Sequence, residues 1–211
     1  MSKVFNTANK YIEFLATLPL EKGGMFCTSF LPSALFQKDI IENFYAKREA
    51  VADHKKATEL LWNYGKKVRK AVSIGDVSLY IEESALVQFC KFGIVHDAYP
   101  DYQVGFGTRK IVLKSLKKIS ENGNVFIGNG VLPYIFRLNP SRGVLVDVIN
   151  NTLEQKIQGL WLDEGVLVNA FLVEAERLIE SAPESGRGEG LQKKLAWAIK
   201  EFGEGYSVDW K

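Results

Sequence analysis

The sequence predicts an α/β protein, or in a variant reading an α+β one, built on a mixed sheet with an antiparallel meander at 124–163 flanked by helices. Three observations predict it. Residues 124–164 read NVFIGNGVLPYIFRLNPSRGVLVDVINNTLEQKIQGLWLDE, with apolar runs at Val125 to Ile127, Leu132 to Leu138, Val144 to Ile149 and Ile157 to Leu162. Gly128-Asn129-Gly130, Asn139-Pro140-Ser141-Arg142-Gly143 and Asn150-Asn151-Thr152 separate the runs with turn chemistry, the pattern of three or four consecutive antiparallel strands. Long stretches before and after keep helical spacing, and Met25 to Phe30 is an uncharged segment short enough for a buried strand.

Taken in order, Lys3 to Leu18 places Val4, Phe5, Ala8, Tyr11, Ile12, Leu15 and Leu18 at helical spacing, and Pro19 ends the run. A longer helical pattern starts near Asp39, the expected N-cap, and passes through Ile40, Phe44, Val51, Ala57, Leu60 and Tyr64. The polar cluster Asp53-His54-Lys55-Lys56 marks a break in it, and Gly65 is the expected stop. Lys66 to Ile74 alternates basic and apolar residues, which predicts a second strand with one wet face. Val77 to Phe92 is read as a helix ended by Gly93, and Ile94 to Gly107 as a loop. Thr108 to Asn122 is an amphipathic helix with Val112, Leu116 and Ile119 inward and Lys110, Lys114, Lys117 and Lys118 outward, capped by Thr108 and Gly123. Gly165 to Ser181 repeats the amphipathic pattern. The expected division is a single α/β domain over 1–182, a flexible connector over 183–190 (PESGRGEG), and a C-terminal helix over 191–211 docked on the core or on a partner.

Composition narrows the function. With 27 Lys and Arg against 25 Asp and Glu, the net charge is +2, too balanced for a surface devoted throughout to nucleic acid, so any basic function is local. Cys27 and Cys90 sit among apolar neighbours, as small hydrophobes do, which fits a reducing compartment and places the protein in the cytoplasm. No apolar run reaches the length of a membrane span, and no secretion signal opens the chain.

Catalytic chemistry finds little footing. His54 and His96 are the only imidazoles and neither has zinc-ligand spacing to a cysteine, so no metal is expected. His54-x-Lys56 resembles the opening of the phospholipase D motif, but Leu60 and Leu61 occupy the region where its aspartate belongs. No Gly-x-Ser-x-Gly occurs, and Glu82-Glu83 and Asp163-Glu164 are adjacent pairs that point apart rather than flank one bond. Gly186-Arg-Gly188-Glu-Gly190 has no strand before it and reads as a linker. Gly105-Phe-Gly107-Thr108-Arg109-Lys110 leads into a helix whose free N–H groups suit an anion, although a plain loop-to-helix junction explains it as well. Tyr134, Phe136 and Trp161 in the meander, with Tyr99, Tyr102 and Phe106 in the loop, suit a covered small-molecule pocket or, more plainly, core packing under a surface lid.

Several of these segments resemble the sensory C-terminal domains that follow a helix-turn-helix domain in many bacterial transcriptional regulators. The likeness spans roughly residues 25–182 and is carried by FYAKREAVADHKKATELLWNYGKKVRKAV with its Val68-Arg69 pair, LPYIFRL, VLVDVIN and GLWLDEGVLVNAFLVEAERL. Such domains look like a phospholipase-D-type α/β half that has lost its active site. The resemblance implies a non-enzymatic sensory or regulatory domain, cytoplasmic and homodimeric, without cofactor or catalytic residue, that binds a small-molecule ligand or a protein. The first residues hold no complete helix-turn-helix, so DNA binding is expected to be lost or delegated to a DNA-binding partner protein. The ligand-binding candidates are Tyr134, Arg137 and Trp161 around a pocket, with Arg109 and Lys110 as anion contacts. Two alternatives stand beside this reading. One is an enzyme on a phosphorylated or nucleic-acid substrate, with Arg69, Arg109 and Lys110 as clamp and Asp147 as base; the other is a protein-interaction module built on the C-terminal helix.

Overall fold

The computed structural model describes residues 2–45, 51–96, 102–132, 134–147 and 159–203. The chain runs β1 (Lys3–Phe5), α1 (Ala8–Thr17), β2 (Gly24–Thr28), a 3-10 turn at Ser33–Leu35, α2 (Lys38–Ile40) continued by a π turn to Tyr45, and α3 (His54–Ile74). It continues through β3 (Val77–Glu82), α4 (Glu83–Phe92), α5 (Phe106–Ile119), β4 (Val125–Gly128), β5 (Ile135–Asn139), β6 (Gly143–Asp147) and β7 (Gly159–Leu162). Last come α6 (Gly165–Glu180), a 3-10 turn at Glu184–Gly186 and α7 (Gly188–Gly203).

The seven strands form one mixed sheet in the order β1-β7-β6-β5-β2-β3-β4. Strands β2, β3 and β4 are parallel, as βαβ crossovers require, and β5, β6 and β7 are the antiparallel meander. Strand β2 joins the halves, parallel to β3 on one edge and antiparallel to β5 on the other. One sheet face is covered by α1, α3, α4, α5 and α7, whose Leu15, Val68, Leu86, Leu116 and Leu195 pack on Phe26, Leu79, Val125 and Leu145. The opposite face carries α6, with Ala175 and Leu178 against Tyr80, Phe136 and Val146.

The mixed α/β class and the meander agree with the sequence; several element boundaries do not. The first three residues of the expected opening helix form β1, which closes the sheet edge on β7. The stretch from Lys66 to Ile74 is helix, not strand: Val68, Ala71 and Val72 fall at i, i+3 and i+4 on the buried face of α3. Gly65 does not stop that helix. A Cβ there would lie 3.2 Å from the Leu35 backbone, so the glycine serves close packing, and the stop falls at Gly75 with φ of 87°. Val77–Glu82 is a central strand rather than the start of a helix, since burial between β2 and β4 hides the alternation by which strands are read. Thr108 is not the cap of α5, which begins at Phe106 after Gly105.

Gly128-Asn129-Gly130 is no hairpin turn. Strand β4 sits at the far edge, three places from β5, and the chain leaving it crosses the α6 face, where the Gly130 N–H and carbonyl meet the Tyr80 hydroxyl. Residues 183–190, expected as a flexible connector, form the second 3-10 turn and the first residues of α7, and α7 lies along α5 with Leu191, Leu195, Ala198 and Phe202 buried. Tyr99 and the Asn150-Asn151-Thr152 turn lie outside the described residues.

Gly186, in the second 3-10 turn, and Gly107 set a test. A Cβ on Gly186 would come within 1.9 Å of the Ile127 carbonyl oxygen, whereas one on Gly107, in the first turn of α5, would meet nothing within 4 Å. Gly186→Ala should destabilise the fold by about 1–3 kcal/mol, as overpacking does. Gly107→Ala should be neutral or stabilise by up to ~1 kcal/mol. Urea midpoints of the two variants check this ordering.

Candidate functional site

Alternation along β5 decides which side chains meet the helices. Phe136 and Leu138 point to α6, while Ile135, Arg137 and Asn139 point to the face covered by α1 and α3. Arg137 therefore lies in a row of apolar residues across the sheet, between Phe26 on β2 and Leu145 on β6, with Trp161 beyond. Its guanidinium sits 4.5 Å from the centre of the Phe26 ring, and its side chain is only 12% exposed.

A charge in that position needs a partner. Arg137 Nη1 donates to Asp147 Oδ1 at 2.6 Å and to the Tyr11 hydroxyl at 2.9 Å, and that hydroxyl donates in turn to Asp147. Asp147 ends β6, and Tyr11 comes from the first half of α1, so the triad ties the helix to two strands of the meander. Gly159 makes room: a Cβ there would lie 2.7 Å from the Tyr11 ring. Burial works against the Arg137 charge, yet the Asp147 carboxylate and the phenols of Tyr11 and Tyr64 outweigh it, and the guanidinium holds its proton more firmly than usual. Burial pushes the Tyr11 phenol well above its ordinary range and that of Tyr64, on α3, up to about 12, the nearby Arg137 opposing the rise in both.

Beside the triad is a cavity of about 20 Å³ lined by Leu18, Tyr64, Arg137, Asn139 and Trp161 among others. Arg137 Nε and Asn139 Oδ1 are buried there without a hydrogen bond, one a donor and the other an acceptor. Such a volume suits roughly one water molecule.

The five ligand-binding candidates do not converge. Arg137 and Trp161 share this cavity, with Trp161 buried edge-on against Phe14 at 5.3 Å. Tyr134 stands just before β5 and is 56% exposed. Arg109 is buried on α5, where Nε donates to the Val104 carbonyl at 2.9 Å and Nη1 to those of Cys90 and Lys91. Arg109 thus holds the loop before α5 to the end of α4, and Gly93 leaves space for it, since a Cβ there would lie 2.7 Å from the guanidinium. Lys110 follows on the half-buried flank of the same helix. The proposed anion clamp is likewise dispersed: Arg69 stacks on Trp62 at 4.5 Å, Arg109 is bound to carbonyls and Asp147 to Arg137.

Cys27 and Cys90 are free and buried, and burial pushes the Cys90 thiol up to about 12. His54 opens α3 in solvent, and His96 stacks on Phe30 at 4.6 Å. Among the described residues no group of three or more His, Cys, Asp and Glu is placed to hold a metal ion, and no helix is long and apolar enough to cross a membrane. No family model matches the chain, and neither a curated protein nor a solved structure does.

In the sequence Asp147 and Arg137 stand out in separate roles, and nothing singles out Tyr11 and Tyr64 for the site. Their spacing on α1 and α3 marks them as inward-facing, and nothing local says which strand they meet.

Removing one member of a buried ion pair strands the other. Asp147→Ala should cost about 3–5 kcal/mol, while the paired change Arg137→Met with Asp147→Leu should cost far less. Chemical denaturation of both variants checks the difference. Tyr64 has its folded pKa raised from 10.0 to about 12, so its stabilisation is complete below pH 10 and is lost as pH rises toward 12. The loss amounts to roughly 2–3 kcal/mol, at 1.36 kcal/mol per unit. Tyr64→Phe should flatten the fall in stability over that interval, and an unchanged slope in urea titrations would contradict it.

Proposed function

We propose that this chain is a non-enzymatic regulatory domain of the degenerate phospholipase-D-like kind found in helix-turn-helix regulators, acting by binding a partner. The observation that carries the reading is the Arg137–Asp147–Tyr11 triad. The charged groups at the middle of the sheet neutralise one another and fasten α1 to β5 and β6. An acid so paired is a weakened general base, because its Oδ1 already accepts from a guanidinium and a phenol. The adjoining cavity, at about 20 Å³, supports a surface partner over an enclosed ligand.

A mixed sheet with helices on both faces is compatible with the phospholipase-D-type likeness. The DNA-binding partner protein and the homodimer belong to the same proposal. Val166 and Val173, two turns apart on α6 and 84% and 57% exposed, are apolar surface suited to self-association. Two buried free thiols fit the cytoplasm.

The test is turnover. Incubated with bis(p-nitrophenyl) phosphate and with supercoiled plasmid, the protein should release product no faster than buffer. Release that disappears in Arg137→Met with Asp147→Leu would overturn the proposal and favour the enzyme reading.

A further inference from the structure

Charge on this protein is distributed unevenly. Residues 60–75 and 102–120 contain nine Lys and Arg and no Asp or Glu, in a chain that as a whole has 27 bases and 25 acids. The first stretch is most of α3 and the second is α5, and both helices pack side by side on one sheet face. Their C-terminal ends are joined where the Asn122 side-chain amide donates to the Ser73 carbonyl. Between Glu59 and Glu121, which are also exposed, the surface they present carries Lys66 and Lys70 on α3 and Lys114 and Lys118 on α5, all four exposed.

None of these four lysines has a carboxylate partner among the described residues, whereas Lys38, Lys56, Arg137, Arg142, Arg177, Lys193 and Lys194 each do. Lys66/Lys70 and Lys114/Lys118 are i, i+4 pairs of like charge, an arrangement that destabilises a helix. An ordinary solvated face interleaves both signs and avoids that cost. A polyanion would relieve it.

We propose that the α3/α5 surface binds the phosphate backbone of a nucleic-acid duplex. The inference rests on the proposed non-enzymatic, partner-binding function and names the chemistry of one partner. A protein interface is poor in Lys and centred on aromatic or Arg anchors, whereas a row of ammonium groups suits a backbone with regularly repeated charge. A membrane surface fits less well, because the apolar faces of both helices, Val68, Ala71 and Val72 on one and Val112, Leu116 and Ile119 on the other, are turned into the core. Lys114 and Lys118 rise about 6 Å apart along their helix, from 1.5 Å per residue. Ammonium groups contacting phosphates read no bases, so binding is sequence-independent.

The experiment is fluorescence anisotropy of the full chain with a labelled 20-base-pair duplex of arbitrary sequence, from 25 to 200 mM salt. The log of the binding constant should fall linearly with log salt, at about 0.9 per phosphate contacted. The variant K66Q/K70Q/K114Q/K118Q should lose about 3–4 from that slope and bind at least ~10-fold more weakly at 50 mM salt. The equal charge change K3Q/K10Q/K22Q/K200Q should leave the slope as it is. Circular dichroism melts should give the first variant a Tm no lower than the second, since like-charge pairs have been removed. Absence of salt-dependent binding, equal loss in both variants, or binding to phosphatidylserine vesicles but not to the duplex would overturn the inference. Recovering the duplex intact supports both this inference and the proposed function, while its cleavage would sink the proposed function and leave the binding surface standing.

Discussion

The double pairing of β2 is the constraint on which the rest of the sheet depends. All five of its uncharged residues pair in parallel with β3, the middle three also pair antiparallel with β5, and each pairing fixes a register. Phe26 thereby stands opposite Leu79 on one edge and Arg137 on the other, whereas Cys27 stands opposite Tyr80 and Phe136. A slip of one residue along β5 would exchange the two faces. It would drive the Arg137 guanidinium among Tyr80, Val146 and Leu178, away from Asp147, and turn Phe136 toward Tyr11 and Asp147. The ion pair therefore acts as a register lock: its net contribution to stability is small, but the penalty for misplacing it is large. Position 137 needs a cation for this reason, and the apolar residues on either side of it are no argument against one.

Charge elsewhere follows a complementary rule. Inside, Arg137 meets Asp147, and Arg109, which has no acid, meets three backbone carbonyls at the end of α4 and in the following loop. Both guanidiniums hold elements together across long sequence separations, a task that suits a planar fork of donors better than an ammonium. Outside, lysines take over, and they gather on the second half of α3, beyond Glu59, and on α5, which ends before Glu121. Arginine for the interior and lysine for the wet surface is the expected division, since the ammonium is the more strongly hydrated group. The segregation of lysine from carboxylate does not follow from that division, and it is what the proposed phosphate contact accounts for.

How much of this was legible in the sequence differs from one element to the next, for physical reasons. Helix α5 shows in the sequence because it has one wet face, so that polar and apolar residues keep its period, and the meander shows because turn residues at 139–143 divide its apolar runs, although β5 and β6 are buried on both faces. Strand β3 hides because it is buried on both sides, and VSLYIE followed by a helix offers no change of period at Glu82. The C-terminal half of α3 misleads for a different reason. Lys66-Lys67-Val68-Arg69-Lys70-Ala71-Val72 satisfies a two-residue period nearly as well as a helical one, and Gly65, retained for contact with Leu35, looks like a terminator. At the candidate site the individual residues were visible but their partners were not. Tyr11 meets Arg137 across 126 positions of sequence, and no local pattern encodes such a pairing.

Helix α5 links these themes, because the fold immobilises it before any partner arrives. Its inner face lies on the sheet through Val112, Leu113 and Leu116, and one flank is tied to α3 through Asn122. On the other flank lies α7, where Gln192 donates to the Lys117 carbonyl and Phe202 rests against Phe106 at 6.0 Å. Arg109 anchors its first turn to the preceding loop. A helix restrained on three sides presents its outward lysines at fixed intervals, and only the ends of their side chains remain to be ordered on contact. That lowers the entropic cost of association, a cost that a mobile basic tail would bear in full. The C-terminal helix thus bears on function without contributing a residue to the basic surface: by packing along α5 it holds the lysines in the arrangement that a regular array of phosphates would meet.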